Sequence, residues 1–259
     1  ALMKVRKSPA VLLEPPEPIL RFFWDIYDGG LKSIVVEGRQ FYQEILQVLK
    51  YRFPELLSVV KLHESTDEIF TTHDLTEQWE NVYSKMVMLP SGGSLIIEET
   101  EALTAIDVNS GKWVREVHPE QMNLKINLEA IKEIARQVPL RNLSGQIVID
   151  FLPQKHKKKR EMLLRAFKEA VIEDRTNVNL IGFTRLGLFE LTRRRRGKTL
   201  SQQLFNLNDN VKSPVTVALE ALYQVEKEMQ IKPGKSFSID TSQIVAEVLN
   251  IGAAQDAKR

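Results

Sequence analysis

The sequence predicts an α/β fold with a parallel β–α–β crossover near its centre. Three observations carry this. Short β-branched runs alternate with segments of helical period. Two strand-like runs, 102–108 and 146–151, flank a single amphipathic helix. Gly and Pro turn signals separate the units. With 259 residues, 43% hydrophobic and 27% charged, the chain is long enough to bury a core, and its composition excludes wholesale disorder.

The elements follow in order. Pro15, Pro16 and Pro18 neither continue a helix nor pair inside a sheet, so residues 11–18 read as extended chain. Residues 19–27 place Leu20, Phe23, Trp24 and Tyr27 at helical spacing before Gly29 and Gly30. A short strand over 33–37, a helix over 41–51, a strand over 59–62 and a helix over 72–83 continue the alternation. Pro90-Ser-Gly-Gly93 marks a turn; it lacks the lysine of a phosphate-binding loop. Strands are expected over 94–98 and 102–108. A helix over 123–138 puts Leu124, Leu128, Ile131, Ala135 and Val138 on one face. The run 146–151 reads as a strand buried on both faces. A long helix follows over 157–175, then strands over 178–183 and 186–191. Polar residues 199–213 suit a linker. The chain closes with a helix over 215–229, a short strand over 237–239 and a helix over 242–249.

The absence of cysteine excludes a disulfide scaffold, thiolate-bound zinc and a thiol nucleophile. Histidines 63, 73, 118 and 156 share no ligand spacing. Trp24, Trp79 and Phe167 fall in helical stripes and are expected in the core, whereas Trp113 is the aromatic placed to stack on a base. No apolar run approaches the ~18–20 residues of a membrane span. The opening Ala-Leu-Met-Lys-Val-Arg-Lys lacks a secretory core, so the expectation is a soluble cytoplasmic protein, or a fragment of one.

The functional signal is a pair of aspartates. Asp107 and Asp150 end two strands joined by one helix, so a crossover brings both to the same carboxyl edge. Neighbouring strands lie ~4.8 Å apart, close enough for two carboxylates to share a cation that relieves their repulsion. Hard oxygen ligands point to magnesium or manganese. Taken singly, each aspartate is better read as a helix cap or turn former; together they point to a metal. Two basic clusters, Lys155–Arg160 and Arg193–Arg196, are expected beside the same edge as a track for a phosphate backbone, although charge runs are commonly solvated faces. Cations at the start of a helix oppose its dipole, so Lys157–Arg160 favours a nearby anion.

At these residues the sequence resembles the RNase E/G family of bacterial endoribonucleases. Leu89-Pro-Ser-Gly-Gly-Ser-Leu-Ile-Ile-Glu98, with Thr100-Glu-Ala-Leu-Thr-Ala-Ile-Asp-Val-Asn-Ser-Gly111, is similar to the family's metal-site segment. Asn127–Gln137 with Leu140–Gly145, Ile147–Phe151 and Phe183–Arg193 are similar to the blocks that follow. The resemblance implies that Asp107 and Asp150 hold Mg2+, with Mn2+ as an alternative, and that Asn109 orients them. The metal would activate water for in-line attack on RNA. Lys112, Lys157, Lys158, Arg160, Arg185, Arg193 and Arg194 would grip the backbone.

The implied organisation is a partial RNase H-like subdomain over 1–84 and a DNase I-like catalytic subdomain over 85–198. A linker over 199–212 and a small α/β domain over 213–259 that supports a homodimer would follow. The implied activity is cleavage of single-stranded RNA to 5′-phosphate and 3′-hydroxyl ends, in RNA processing (rRNA included) and decay. A non-catalytic RNA-binding or assembly module is the alternative. The family's amino-terminal RNA clamp and 5′-monophosphate pocket have no counterpart in these residues. Its paired-cysteine zinc link is replaced by Phe205–Val211, so no zinc is expected. Leu152 and Pro153 stand where an acidic residue is usual, and Trp113–Met122 differs from the family's Gly-rich continuation.

Overall fold

The computed structural model describes residues 22–23, 27, 29–65, 67–111, 119–206 and 211–256. The expected extended segment at 11–18, most of the helix at 19–27, and Lys112, Trp113 and His118 lie outside them. The chain divides into two compact units, Ala1–Glu77 and Gln78–Arg259.

In the first unit, β1 (Ile34–Glu37) and β2 (Val60–His63) pair in parallel, Ile34 opposite Val60 and Glu37 opposite His63. Parallel neighbours need a crossover, and α1 (Arg39–Arg52) supplies it, entered through Gly38 at φ 86°. Its Ile45 and Leu49 pack with Phe23, Val36, Leu56 and Val60 into a small core. Leu56 comes from a 3-10 helix over Pro54–Val59.

The helix expected over 72–83 is two pieces, α2 (Ile69–Thr72) and α3 (Thr76–Val82). Asp74 between them adopts a left-handed φ of 54°, which ends the first. Trp79 is 41% exposed rather than core, its ring edge-on to Tyr83 at 6.4 Å.

The second unit is built on a six-stranded mixed sheet of order β3-β4-β5-β6-β8-β7. The strands are β3 (Met86–Met88), β4 (Ser94–Glu99), β5 (Leu103–Asn109), β6 (Gly145–Asp150), β7 (Val178–Phe183) and β8 (Phe189–Arg193). β3 to β5 form an antiparallel meander, β5 and β6 pair in parallel, and the β7–β8 hairpin adds on antiparallel to β6. The parallel step is bridged by α4 (Pro119–Leu140), which begins earlier than expected, and α5 (Lys157–Ala170) leads from β6 to β7.

Both helices cover one face of the sheet. Ile126, Ala130, Ile131, Ile134, Val138, Leu163 and Phe167 meet Leu95, Ile97, Ile106, Val108, Ile147, Ile149, Phe189 and Leu191 there. β6 is therefore buried on one side only: Ile147 and Ile149 are buried while Asp150 is exposed. The period-two alternation turns the opposite face of β5 and β6 away from that core.

The proposed linker region carries α6 (Leu200–Leu204), started by a capping box between Thr199 and Gln202. Helices α7 (Pro214–Ile231) and α8 (Gln243–Asp256) follow. Residues 237–239 form no strand. No helix among the described residues is long and apolar enough to cross a membrane.

Candidate metal centre

Asp107 and Asp150 are direct partners across the parallel β5–β6 pair. The register puts them side by side on backbones ~4.8 Å apart and on the same face of the sheet. Their neighbours Ile106, Val108 and Ile149 point to the helices, and the two aspartates are exposed on the other side. Neither is a helix cap: Asp107 lies within β5, and α5 begins seven residues after Asp150 with His156 as its N-cap.

Asn109 is on the same face of β5 two residues on, and its Nδ2 donates to Asp107 Oδ2 at 2.8 Å. That bond fixes the Asp107 carboxylate while the Asn109 side-chain oxygen accepts no hydrogen bond among the described residues. The Asp150 carboxylate makes no hydrogen bond or ion pair among them either. One carboxylate held by a single amide donor beside one with no donor among the described residues leaves oxygens for a hard cation such as Mg2+, which takes one or two carboxylates and completes its shell with other oxygens. No group of three or more acidic, His or Cys ligands occurs among the described residues.

The strand ends that carry the pair are pinned from the core side. Buried Asn127 of α4 donates Nδ2 to Leu152 O (2.8 Å) and accepts from Leu152 N–H at Oδ1 (3.0 Å), two residues past Asp150. Glu129 Oε2 accepts from Ser91 N–H at 2.9 Å, in the turn before β4. Phe151, which follows Asp150, sits edge-on to Phe167 and Phe189, and Phe167 stacks on Phe189 at 5.1 Å. Phe183 and Phe189 bracket the turn of the β7–β8 hairpin, which places the loop carrying exposed Arg185 at the same edge as Asp150.

The sequence reading did not find Asn127. The available signal was a polar residue four before Ile131, inside the apolar stripe of α4.

The two basic clusters part company. Lys157 and Lys158 are exposed at the start of α5, just past Asp150. Arg160 is exposed too, with Nε donating to Gln154 O at 2.9 Å and its guanidinium 5.8 Å from the Phe183 ring centre. The anion expected near these cations includes one from the protein: Lys159 Nζ reaches Glu120 Oε2 at 3.0 Å and His156 Nε2 lies 3.5 Å from it. The bond from Lys159 holds the Glu120 carboxyl below its ordinary range.

Arg193–Arg196 is at the other edge, because β8 runs antiparallel to β6 and Arg193 pairs with Gly145 at the start of that strand. Five residue steps of ~3.3 Å put it ~17 Å from the aspartates. Arg193, expected at the RNA surface, is instead buried, 6% exposed, with its guanidinium fully engaged within the protein. It binds Asp174 through Nε (2.7 Å) and Nη2 (3.3 Å), Leu143 O and Asn142 Oδ1 through Nη1, and Thr176 Oγ1 through Nη2. Arg194 is exposed at that far edge.

Comparison with known proteins gives the family. A family model described as Ribonuclease E/G family matches residues 1–196. The chain belongs to the ribonuclease E/G family. Among curated relatives, it is 32% identical over 235 residues to "Ribonuclease G" of Escherichia coli (strain K12), covering 88% of this chain and 48% of that one. "Ribonuclease G" of Haemophilus influenzae is 32% identical over 252 residues, covering 95% and 50%. The "Ribonuclease E/G-like protein, chloroplastic" of Arabidopsis thaliana is 34% identical over 189 residues, covering 72% and 19%. The chain thus spans about half the length of the Ribonuclease G relatives it matches.

Proposed function

We propose that this chain carries the catalytic core of a magnesium-dependent endoribonuclease acting on single-stranded RNA in RNA processing and decay. The observation that carries the reading is the in-register pair Asp107–Asp150, with Asn109 bonded to the first. A magnesium ion held by the two carboxylates supplies positive charge to a phosphodiester and a more acidic water. Asp107 and Asp150 bind that ion, and Asn109 keeps the Asp107 oxygens turned towards it. Mn2+ substitutes in such an oxygen site. Lys157, Lys158, Arg160 and Arg185, with Lys112, hold the RNA backbone beside the scissile phosphate; that binding is salt-sensitive and largely sequence-blind. Arg194 touches only RNA that has reached the far edge.

In this reading the products carry 5′-phosphate and 3′-hydroxyl ends. Residues 85–198 form a DNase I-like catalytic subdomain, after part of an RNase H-like subdomain over 1–84 and before a small domain over 213–259. Homodimerisation through that last region is supported by Val215, Leu219 and Leu222, which expose apolar side chains at helical spacing along α7. The protein works in the cytoplasm.

The test is a magnesium titration of single-stranded RNA cleavage by the purified chain and by Asp107→Asn and Asp150→Asn. Cleavage saturates with Mg2+ in the parent, and each variant loses at least about a hundredfold in rate with folding retained. Unchanged cleavage by both variants refutes the assignment. RNA binding by the parent with no cutting at any Mg2+ concentration turns the reading to the assembly module.

A further inference from the structure

The Pro90–Gly93 turn lies directly against the Asp107–Asn109 arm of the site. Leu89 N–H donates to Gly93 O at 2.8 Å and Gly92 N–H to Leu89 O at 2.9 Å, closing the turn before β4. Ser94, the next residue, pairs with Asn109. A Cβ added to Gly93 would stand 2.7 Å from the Asn109 carbonyl oxygen and 3.1 Å from Ile126 Cγ2. A Cβ added to Gly111, at φ 70°, would overlap the Gly92 carbonyl, and Gly92 is itself at φ 84°. Three glycines thus let two backbone segments meet with no room for one carbon between them. Glu129 of α4 holds the turn from the helix side through Ser91 N–H.

From this we infer that the Pro90–Gly93 turn is a positioning element for the metal pair, acting through the backbone of Asn109 on the bond its amide gives Asp107; the inference rests on the metal-site reading above. The magnitudes decide in its favour. Ordinary contact begins at 3.4 Å, so a methyl at Gly93 shifts the Asn109 carbonyl by 0.7 Å unless the turn itself moves. A functional constellation tolerates only about 0.5 Å. The bond from Asn109 to Asp107, at 2.8 Å, does not survive such a shift unchanged.

The experiment is a Mn2+ titration of the full chain without RNA, reading free Mn2+ by its electron paramagnetic resonance signal, with thermal unfolding run alongside. Gly93→Ala weakens Mn2+ binding roughly 10- to 100-fold, while RNA affinity in EDTA stays at the parent value. A lowered melting temperature with Mn2+ affinity unchanged means the turn is merely structural and overturns the inference. Should Gly93→Ala not fold, Glu129→Ala decides: it loosens the turn without a clash and weakens Mn2+ roughly two- to tenfold, and Glu129→Gln, which keeps an acceptor, restores the affinity. Parent-like affinity in Glu129→Ala then overturns it. Asp107→Asn run in the same titration separates the two levels. If it binds Mn2+ like the parent, the metal-site reading fails; if it loses Mn2+ while the turn variants do not, only the positioning role fails.

Discussion

Replacing Arg193 by alanine separates a fold residue from an RNA contact. The side chains of Arg193 and Asp174 are 5% and 8% exposed, and the guanidinium makes two bonds to that carboxylate besides those to Asn142, Thr176 and the Leu143 carbonyl. Truncating it strands a buried carboxylate and a carbonyl at the start of β6. Breaking a buried ion pair from one side costs about 3–5 kcal/mol, which in a compact unit of this size lowers the melting temperature by roughly 6–20 °C. Urea denaturation and thermal unfolding read the loss, and RNA affinity measured well below the transition should be unchanged. Arg193→Ala with parent-like stability and weakened RNA binding would refute this reasoning and return Arg193 to the nucleic-acid surface.

Two further outcomes follow from the same geometry. Lys158→Ala and Arg185→Ala each weaken binding of a short single-stranded RNA equally across sequences and reduce the salt slope by about 0.7, whereas Arg194→Ala, ~17 Å from Asp150, leaves that short RNA unaffected; filter binding at several salt concentrations reads both. Asn127→Ala removes the side-chain partners of both Leu152 N–H and Leu152 O and destabilises the protein by about 2–4 kcal/mol in urea unfolding, and Asn127→Asp, which buries a carboxylate against the Leu152 carbonyl oxygen, is no milder at neutral pH.

The parts of the site that follow from chain connectivity were legible in the sequence. One helix between two strand-like runs requires a parallel step, and the step put Asp107 opposite Asp150. The direction of later strands was not legible. Arg193–Arg196 looks like any solvated basic run, and only the β7–β8 hairpin, entering at the site edge and leaving at the other, sends it away from the aspartates. Burial of Arg193 depends on Asp174 and Asn142, 19 and 51 residues away, which no local pattern connects.

Other differences have equally specific causes. β3 is three residues with two exposed methionines, too short for an alternation to register. The Ser91–Ser94 segment reads as an ordinary turn because the residues that crowd its glycines, Asn109 and Gly111, lie 16 or more positions on, and close approach leaves no mark on composition. Residues 237–239 have strand-like side chains and no strand partner, and a strand without one has no ladder to complete.

The central claim is that one divalent cation sits between Asp107 and Asp150, and diffraction from crystals soaked in Mn2+ addresses it most directly. The account predicts a single anomalous peak bonded at about 2.1–2.2 Å to an oxygen of each aspartate, lost in Asp107→Asn. A peak elsewhere, or carboxylates turned apart with no ion between them at saturating Mn2+, would contradict it.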